Sequence, residues 1–439
     1  MVRRKNFSQY LSMAILFRLI FLILTAFSFD VFGQGIKFDH LSVKQGLSQG
    51  NVSDIHQDRF GFIWIATEDG LNVFDGYNCT IFRNNPKDST TISNNNINSV
   101  AEDKQGNLWI GTQTGLNFYD RNQNKFKRFF NEPENESSLS NSYVRSVFFD
   151  SKNNLWVGTS NGLNRYDPAN NQFVKFMHSP EQENSLAGPE VRTILEDHMN
   201  RLWVGTSAGL CMLNSDDKTF TRYLSISDDP TSLSSNKIQT LFQDQDNNLW
   251  VGTFDGGVNK MTVGKKGFTR YTSDPNITTT VGAQFIHEID QNKQGEIWIA
   301  TDGGLSLYNK HNETFTRVIA DSENEFSLSS NIVMNVFFDL NDRMWVGTRF
   351  GGVNIYDKDK YGFWHFRHKT NDPFSLSANT INSFEQDEFG NFYVATDGGG
   401  LNYYDRKKDQ FKHYVNEPRN VNSISNNKIL SVKIDHQGG

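Results

Sequence analysis

Apolar positions recur along this chain in short runs that never settle into a helical period, and the runs return about every 47 residues. One unit shows the layout. Ile97 to Glu102 is predicted as a short strand, and the turn Asp103-Lys104-Gln105-Gly106 follows, opened by Asp and closed by a residue that tolerates a left-handed backbone. Leu108 to Thr112 is predicted as a second strand, Gly115 to Tyr119 as a third and Phe126 to Phe130 as a fourth. A polar connector, Asn131 to Asn141, then carries Pro133 and Ser138-Leu139-Ser140 into the next unit.

The repeat is strict where packing demands it. Trp stands at positions 64, 109, 156, 203, 250, 298 and 345, with Tyr393 in the eighth slot, at spacings of 45, 47, 47, 47, 48, 47 and 48. Three residues after each aromatic comes Thr, and twelve before it comes Val or Ile. The slot that closes the first turn holds Gly61, Gly106, Asn153, Asn200, Asn247, Gly295, Asp342 and Gly390, all residue types that accept positive φ. Four short strands per unit make a propeller blade, so the fold class is all-β, a β-propeller of four-stranded blades. The recurring Trp, Val/Ile and Leu are read as blade-to-blade packing. A seven-bladed ring is expected over residues 34–372, with an eight-bladed ring as the alternative. Residues 373–439 are expected to hold the first blade and the truncated second blade of a following propeller. Ile36 to Leu41 resembles the fourth strand of a blade and is suited to closing the ring on the last one. Because Gly438-Gly439 falls at a turn just before an aromatic strand is due, the chain is expected to continue beyond it.

Residues 1–33 read as a signal peptide, with an uncleaved anchor as the alternative: Arg3, Arg4 and Lys5 precede an apolar run, and Val31 and Gly33 are small residues before Gln34. The stretch Leu19 to Phe27 is nine residues, short of the roughly 20 a membrane helix needs. Aromatics at 13% exclude a disordered chain. A net charge of −7 excludes the basic footprint of a nucleic-acid binder. Cys79 and Cys211 lie about three repeats apart and are expected to be unpaired.

Strand parity puts the Thr-x-x-Gly turns and the Ser-Leu-Ser connectors on one rim and the Asp-opened turns on the other. The first rim varies while the scaffold repeats, which is where binding residues are usually carried. Phe254, Asp255, Asp302, Arg349, Phe350 and Asp397 on the turns, with Arg145, Arg192 and His287 near the starts of the innermost strands, are the candidate ligand-binding residues. Aromatic, carboxylate and guanidinium groups around a mouth suit a small carbohydrate, and arginine suits an acidic sugar through paired hydrogen bonds. No catalytic constellation, cofactor motif or metal site is identified. Gly46-Leu47-Ser48-Gln49-Gly50 has the letters of a nucleophile elbow without its helix, and His365 and His368 are read as surface or packing residues.

The unit Asp103-Lys104-Gln105-Gly106-Asn107-Leu108-Trp109-Ile110-Gly111-Thr112-Gln113-Thr114-Gly115-Leu116-Asn117 resembles the two-component regulator propeller repeat. Phe38-Asp39-His40-Leu41, Gly46-Leu47-Ser48 and the run Asp58 to Thr67 resemble the usual start of the periplasmic sensors of Bacteroidetes hybrid two-component systems. The resemblance implies two seven-bladed propellers, then a Tyr-rich β-sandwich, a membrane helix, a histidine kinase, receiver domains and a DNA-binding domain. It also implies polysaccharide breakdown products as ligands, control of glycan-use genes by phosphorelay, a periplasmic location and signalling through the packing of two chains as a homodimer. Unit four departs, with Cys211-Met212-Leu213-Asn214 where others have Asn-x-Tyr-Asp, and unit six has Asn292 in place of the turn Asp. The rival expectations are a secreted protein-binding scaffold and a propeller lyase resembling the streptogramin B lyases.

Overall fold

The computed structural model describes residues 36–360, 366–370 and 372–435, so residues 1–33, expected to be a signal peptide, and His365 lie outside the described residues. Two compact units divide between Asp357 and Lys358. In the first, seven four-stranded antiparallel sheets follow one another in chain order. Their innermost strands are Val52–Gln57, Ile97–Glu102, Val144–Phe149, Val191–Glu196, Ile238–Gln243, Ile286–Gln291 and Val333–Phe338, which begin blades 1 to 7. Each innermost strand neighbours the next, and the last neighbours the first, so the unit is a closed seven-bladed propeller.

The seventh blade has only three strands of its own. Its outermost strand is Asp39–Leu41, contributed from ahead of blade 1 and paired antiparallel with Val353–Tyr356 through Asp39↔Ile355 and Leu41↔Val353. Phe38 beside it is fully buried, and Gly352 N donates to Gly50 O at 3.0 Å across the same seam. The seam strand occupies what would otherwise be an open sheet edge, which locks the ring.

The second strand of every blade in the ring is buried at all five positions, because each sheet packs on a neighbour across both faces. The blades approach closely there. A Cβ added at Gly252 would lie 2.6 Å from Ile286 Cγ2 of the next blade, which is why Gly or Ala stands two residues after each aromatic.

The Asp-opened turns are held by their own carboxylates. Asp58, fully buried, accepts from the amides of Phe60 and Phe62 on Oδ1 and from the Trp64 indole N–H at 2.7 Å on Oδ2. The same indole bond recurs at Asp150, Asp197, Asp244 and Asp339. In blade 6 the Asn292 side chain still accepts the two turn amides, from Gln294 and Glu296. Every predicted closing residue has positive φ, from 58° at Asn200 to 91° at Gly61.

The Thr-x-x-Gly turns are tied down by a second buried set. In blade 1, Thr67 Oγ1 donates to Gly70 O, and the connector's Ser48 bonds both Thr67 and Asn72. In blade 4 both partners change: Ala187 N donates to Cys211 Sγ at 3.2 Å. Cys211 is buried, Cys79 half-buried, and both are free thiols.

The second unit holds one four-stranded sheet, Ile381–Gln386, Phe392–Thr396, Leu401–Asp405 and Gln410–Tyr414. Val432 N then donates to Ser383 Oγ at 2.8 Å, as Val147 N does to Ser99 Oγ between blades 3 and 2.

Candidate functional site: the propeller mouth and channel

At the start of each innermost strand the register slips between its first and third residues. The second residue is the extra residue of a β-bulge, a device that re-aims a side chain. Every bulge residue, from Ser53 in blade 1 through Arg145, Arg192 and His287 to Met334 in blade 7, lines a central cavity of about 370 Å³. Three of the sequence-derived candidates thus sit at one repeated position.

Five more of them stand on the rim turns above and join the same array. Arg145 Nε lies 2.5 Å from Glu190 Oε1, and Arg192 reaches Glu190 Oε2 at 3.0 Å. The Arg192 guanidinium stands 6.0 Å from the Phe254 ring centroid, and Lys237 Nζ 5.6 Å from it. Lys237 also pairs with Asp255 at 2.7 Å, and that bond, with one from Ser235, holds the Asp255 carboxyl below its ordinary range. Phe254 packs on Phe285 at 4.3 Å between centroids, and Phe285 stacks on the His287 ring at 4.0 Å. His287 Nε2 lies 2.7 Å from Asp302 Oδ1; this hydrogen bond lowers the Asp302 carboxyl, with the His287 and Arg349 charges adding to it. Arg349 lies 5.5 Å from the Phe350 ring, and Phe350 N donates to Asn51 Oδ1. Phe350 is 74% exposed at φ 71°, a left-handed backbone that disfavours a bulky side chain. Asp397 belongs to the second unit, where it pairs with Lys428 at 3.0 Å.

Sequence reasoning passed over Asn51, Tyr143, Glu190, Lys237 and Phe285, which complete the array. Each immediately precedes the repeated Val or Ile. The carbonyl at that position accepts the turn amide in blade after blade: Ser160 N to Tyr143 O, Ser207 N to Glu190 O and Phe254 N to Lys237 O. A repeated backbone bond therefore seats this side chain beside the turn. The position varies as freely as the turn does, which is the signal that would have found it.

Below the mouth, the third strand residues Asp54, Ser146, Thr240 and Glu288 also line the cavity. Asp54 accepts from Val100 N at 2.8 Å and Glu288 from Thr240 Oγ1 at 2.8 Å. Burial pushes the Asp54 carboxyl up to about 6. Burial pushes Glu288 up to about 8, against the Thr240 bond and with the Asp54 charge adding to the rise. Among the described residues, five buried side-chain polar atoms have no hydrogen-bond partner, and Ser146 Oγ, Arg192 Nη1 and Asn335 Oδ1 all belong to the second and third positions of these strands. No group of three or more His, Cys, Asp or Glu able to hold a metal ion is present among the described residues.

The repeat profile described as two component regulator propeller matches residues 46–69, 91–114, 138–161, 185–208 and 232–255. Each match runs from a connector through the Thr-x-x-Gly turn. The chain is similar to the solved extracellular domain of a hybrid two-component system from B. thetaiotaomicron, at 26% identity and a TM-score of 0.66, over 92% of this chain and 51% of that one. It is 44% identical over 77 residues to histidine kinase P4 of Formosa agariphila, a stretch that makes up 18% of this chain and 6% of that protein. A streptogramin B lyase structure is similar at 12% identity and a TM-score of 0.53, over 73% of this chain and 97% of that one, a likeness of fold alone. The chain thus spans about half of the solved extracellular domain and matches a small part of the kinase.

Proposed function

We propose that this chain, which belongs to the two-component regulator propeller family, is the extracytoplasmic ligand-sensing region of a hybrid two-component sensor, and that the mouth on blades 3 to 7 receives an oligosaccharide. In the whole protein, occupancy of this mouth would control a histidine kinase across a membrane and, through phosphorelay, genes for glycan use. A periplasmic location and a homodimer belong to the same reading.

The observation that carries it is the continuous array from Tyr143 to Phe350. A half-exposed aromatic face, Phe254, is flanked by Arg192 and Lys237 and backed by Phe285. A sugar ring stacks on such a face while its hydroxyls bond the surrounding charges, and guanidinium groups add recognition of a uronate. The rigid ring beneath holds these groups in place before a ligand arrives, which lowers the ordering cost of binding.

Calorimetric titration of the purified chain with neutral and uronate-containing oligosaccharides tests the reading. Saturable binding of one class, abolished by Phe254→Ala, is the expected result. Failure of every oligosaccharide class to bind would overturn it.

A further inference from the structure

The cavity beneath the mouth has a different chemistry on its two sides, and the oligosaccharide reading leaves this unused. In a ring of seven, blades 3 and 4 stand opposite blade 7, whose neighbours are blades 6 and 1. Blades 3 and 4 supply Arg145 and Arg192 to the cavity lining; blades 6 and 1 supply Glu288 and Asp54. The two guanidiniums share a single carboxylate, Glu190, so one positive charge on that side is left over.

The unspent hydrogen bonds of the lining lie on one of these sides. On the arginine side, Arg192 Nη1 is a buried donor without an acceptor, and Ser146 of blade 3, 9% exposed and in the same lining, has an unpartnered hydroxyl. Leaving such groups unmade costs roughly 1–3 kcal/mol each, so the two in this lining mark the arginine side as the wall on which a ligand's acceptor would be taken.

We propose that the channel cavity is a second binding site, taking a small zwitterion whose carboxylate faces Arg192 and Ser146 and whose ammonium group faces Glu288 and Asp54. A free amino acid and an amino sugar acid share this chemistry. The cavity of about 370 Å³ accommodates either. The ammonium supplies hydrogen-bond donors to the Asp54 and Glu288 carboxyls, which share the opposite wall. The carboxylate takes the unbonded Arg192 donor. Burial of Asp54 and Glu288, which raises both carboxyls, agrees with a wall waiting for a cation.

Titration calorimetry on the purified chain with glycine, β-alanine, 4-aminobutyrate and glucosaminuronic acid tests this, each compared with its N-acetylated form and its decarboxylated amine or amino sugar. The expected result is that one zwitterion binds at least about ten-fold more tightly than both singly charged counterparts. Arg192→Gln should weaken the zwitterion and the N-acetylated acid alike, and Glu288→Gln the zwitterion and the amine alike. Melting of the unliganded variants checks that the ring is intact. Equal affinity of the three forms, or no zwitterion binding at millimolar concentration by a folded chain, overturns the proposal. Oligosaccharide binding sensitive to Phe254→Ala is read separately, so either site fails without the other.

Discussion

The two rims of the propeller are built on the same backbone repeat and have opposite sequence behaviour. On one, Asp58, Asp150, Asp197, Asp244 and Asp339 all hold an indole N–H, and four of the five are buried. On the other, equivalent turn positions carry Phe254, Asp302 and Arg349, whose partners are side chains rather than the backbone of their own turns: Phe285 for Phe254, His287 for Asp302 and the Phe350 ring for Arg349. The difference lies in which atoms satisfy the turn. Where the side chain caps the amides, its identity is constrained by geometry. On the mouth rim the buried Thr and the connector do that work, through bonds such as Thr253 Oγ1 to Gly257 O, and the exposed turn residue is released for other uses.

The largest expected effect breaks the constrained rim. Asp58→Ala leaves two turn amides, the Trp64 indole and Arg121 without their shared acceptor, the Arg121 contact being 2.6 Å. Urea unfolding should show a loss of about 2–4 kcal/mol. Gly252→Ala, where an added Cβ would meet Ile286 of blade 6 at 2.6 Å, should cost about 1–2 kcal/mol by the same measurement, since the stiff Ile286 has to give way.

The channel sharpens the comparison through pH. The folded chain holds a proton on Glu288 up to about 8, whereas the unfolded chain releases it near 4.5. That group therefore stabilises the fold at low pH, and its contribution is lost as pH rises through about 8. Burial raises Asp54 and Asp290 to about 6, and they act alike over a lower window. His56, which burial lowers from 6.5 to about 4, acts in the opposite sense between those values. Above pH 6.5 Glu288 alone among these changes state, so stability should fall by about 1–3 kcal/mol between pH 6.5 and about 8.5. Glu288→Gln should flatten that slope in thermal melts taken across the range.

The smallest effect is expected on the free rim. Phe350→Gly should leave stability within about 0.5 kcal/mol of the parent, because relief of the left-handed backbone offsets the added freedom of the unfolded chain.

The ring itself was legible because its repeats are packing and turn chemistry. Ile97–Glu102 and Leu108–Thr112 are strands as predicted, and Ile36 to Leu41 does close the last blade, through Asp39–Leu41. The mouth was half legible. Arg145, Arg192 and His287 stood out as charges near strand starts, but the bulge that turns them into the cavity leaves no single-residue signature. Glu190 and Phe285 were missed because a single unit shows them only as residues before a strand. Their contacts, to Arg145 and Phe254, bridge segments more than thirty residues apart. Asp54 and Glu288 read as ordinary alternating polar positions until closure of the ring brings blades 1 and 6 near each other. Asp397 matched the turn pattern, yet it belongs to the second unit.

The most direct test is to set oligosaccharide affinity against melting temperature for Phe254→Ala and Asp339→Ala in the same chain. A mouth released from structural work predicts that Phe254→Ala loses at least about ten-fold in affinity with an unchanged melt, while Asp339→Ala lowers the melt and leaves the affinity of the folded fraction intact. Equal loss of melting temperature in both, or undiminished affinity in Phe254→Ala, would contradict the account.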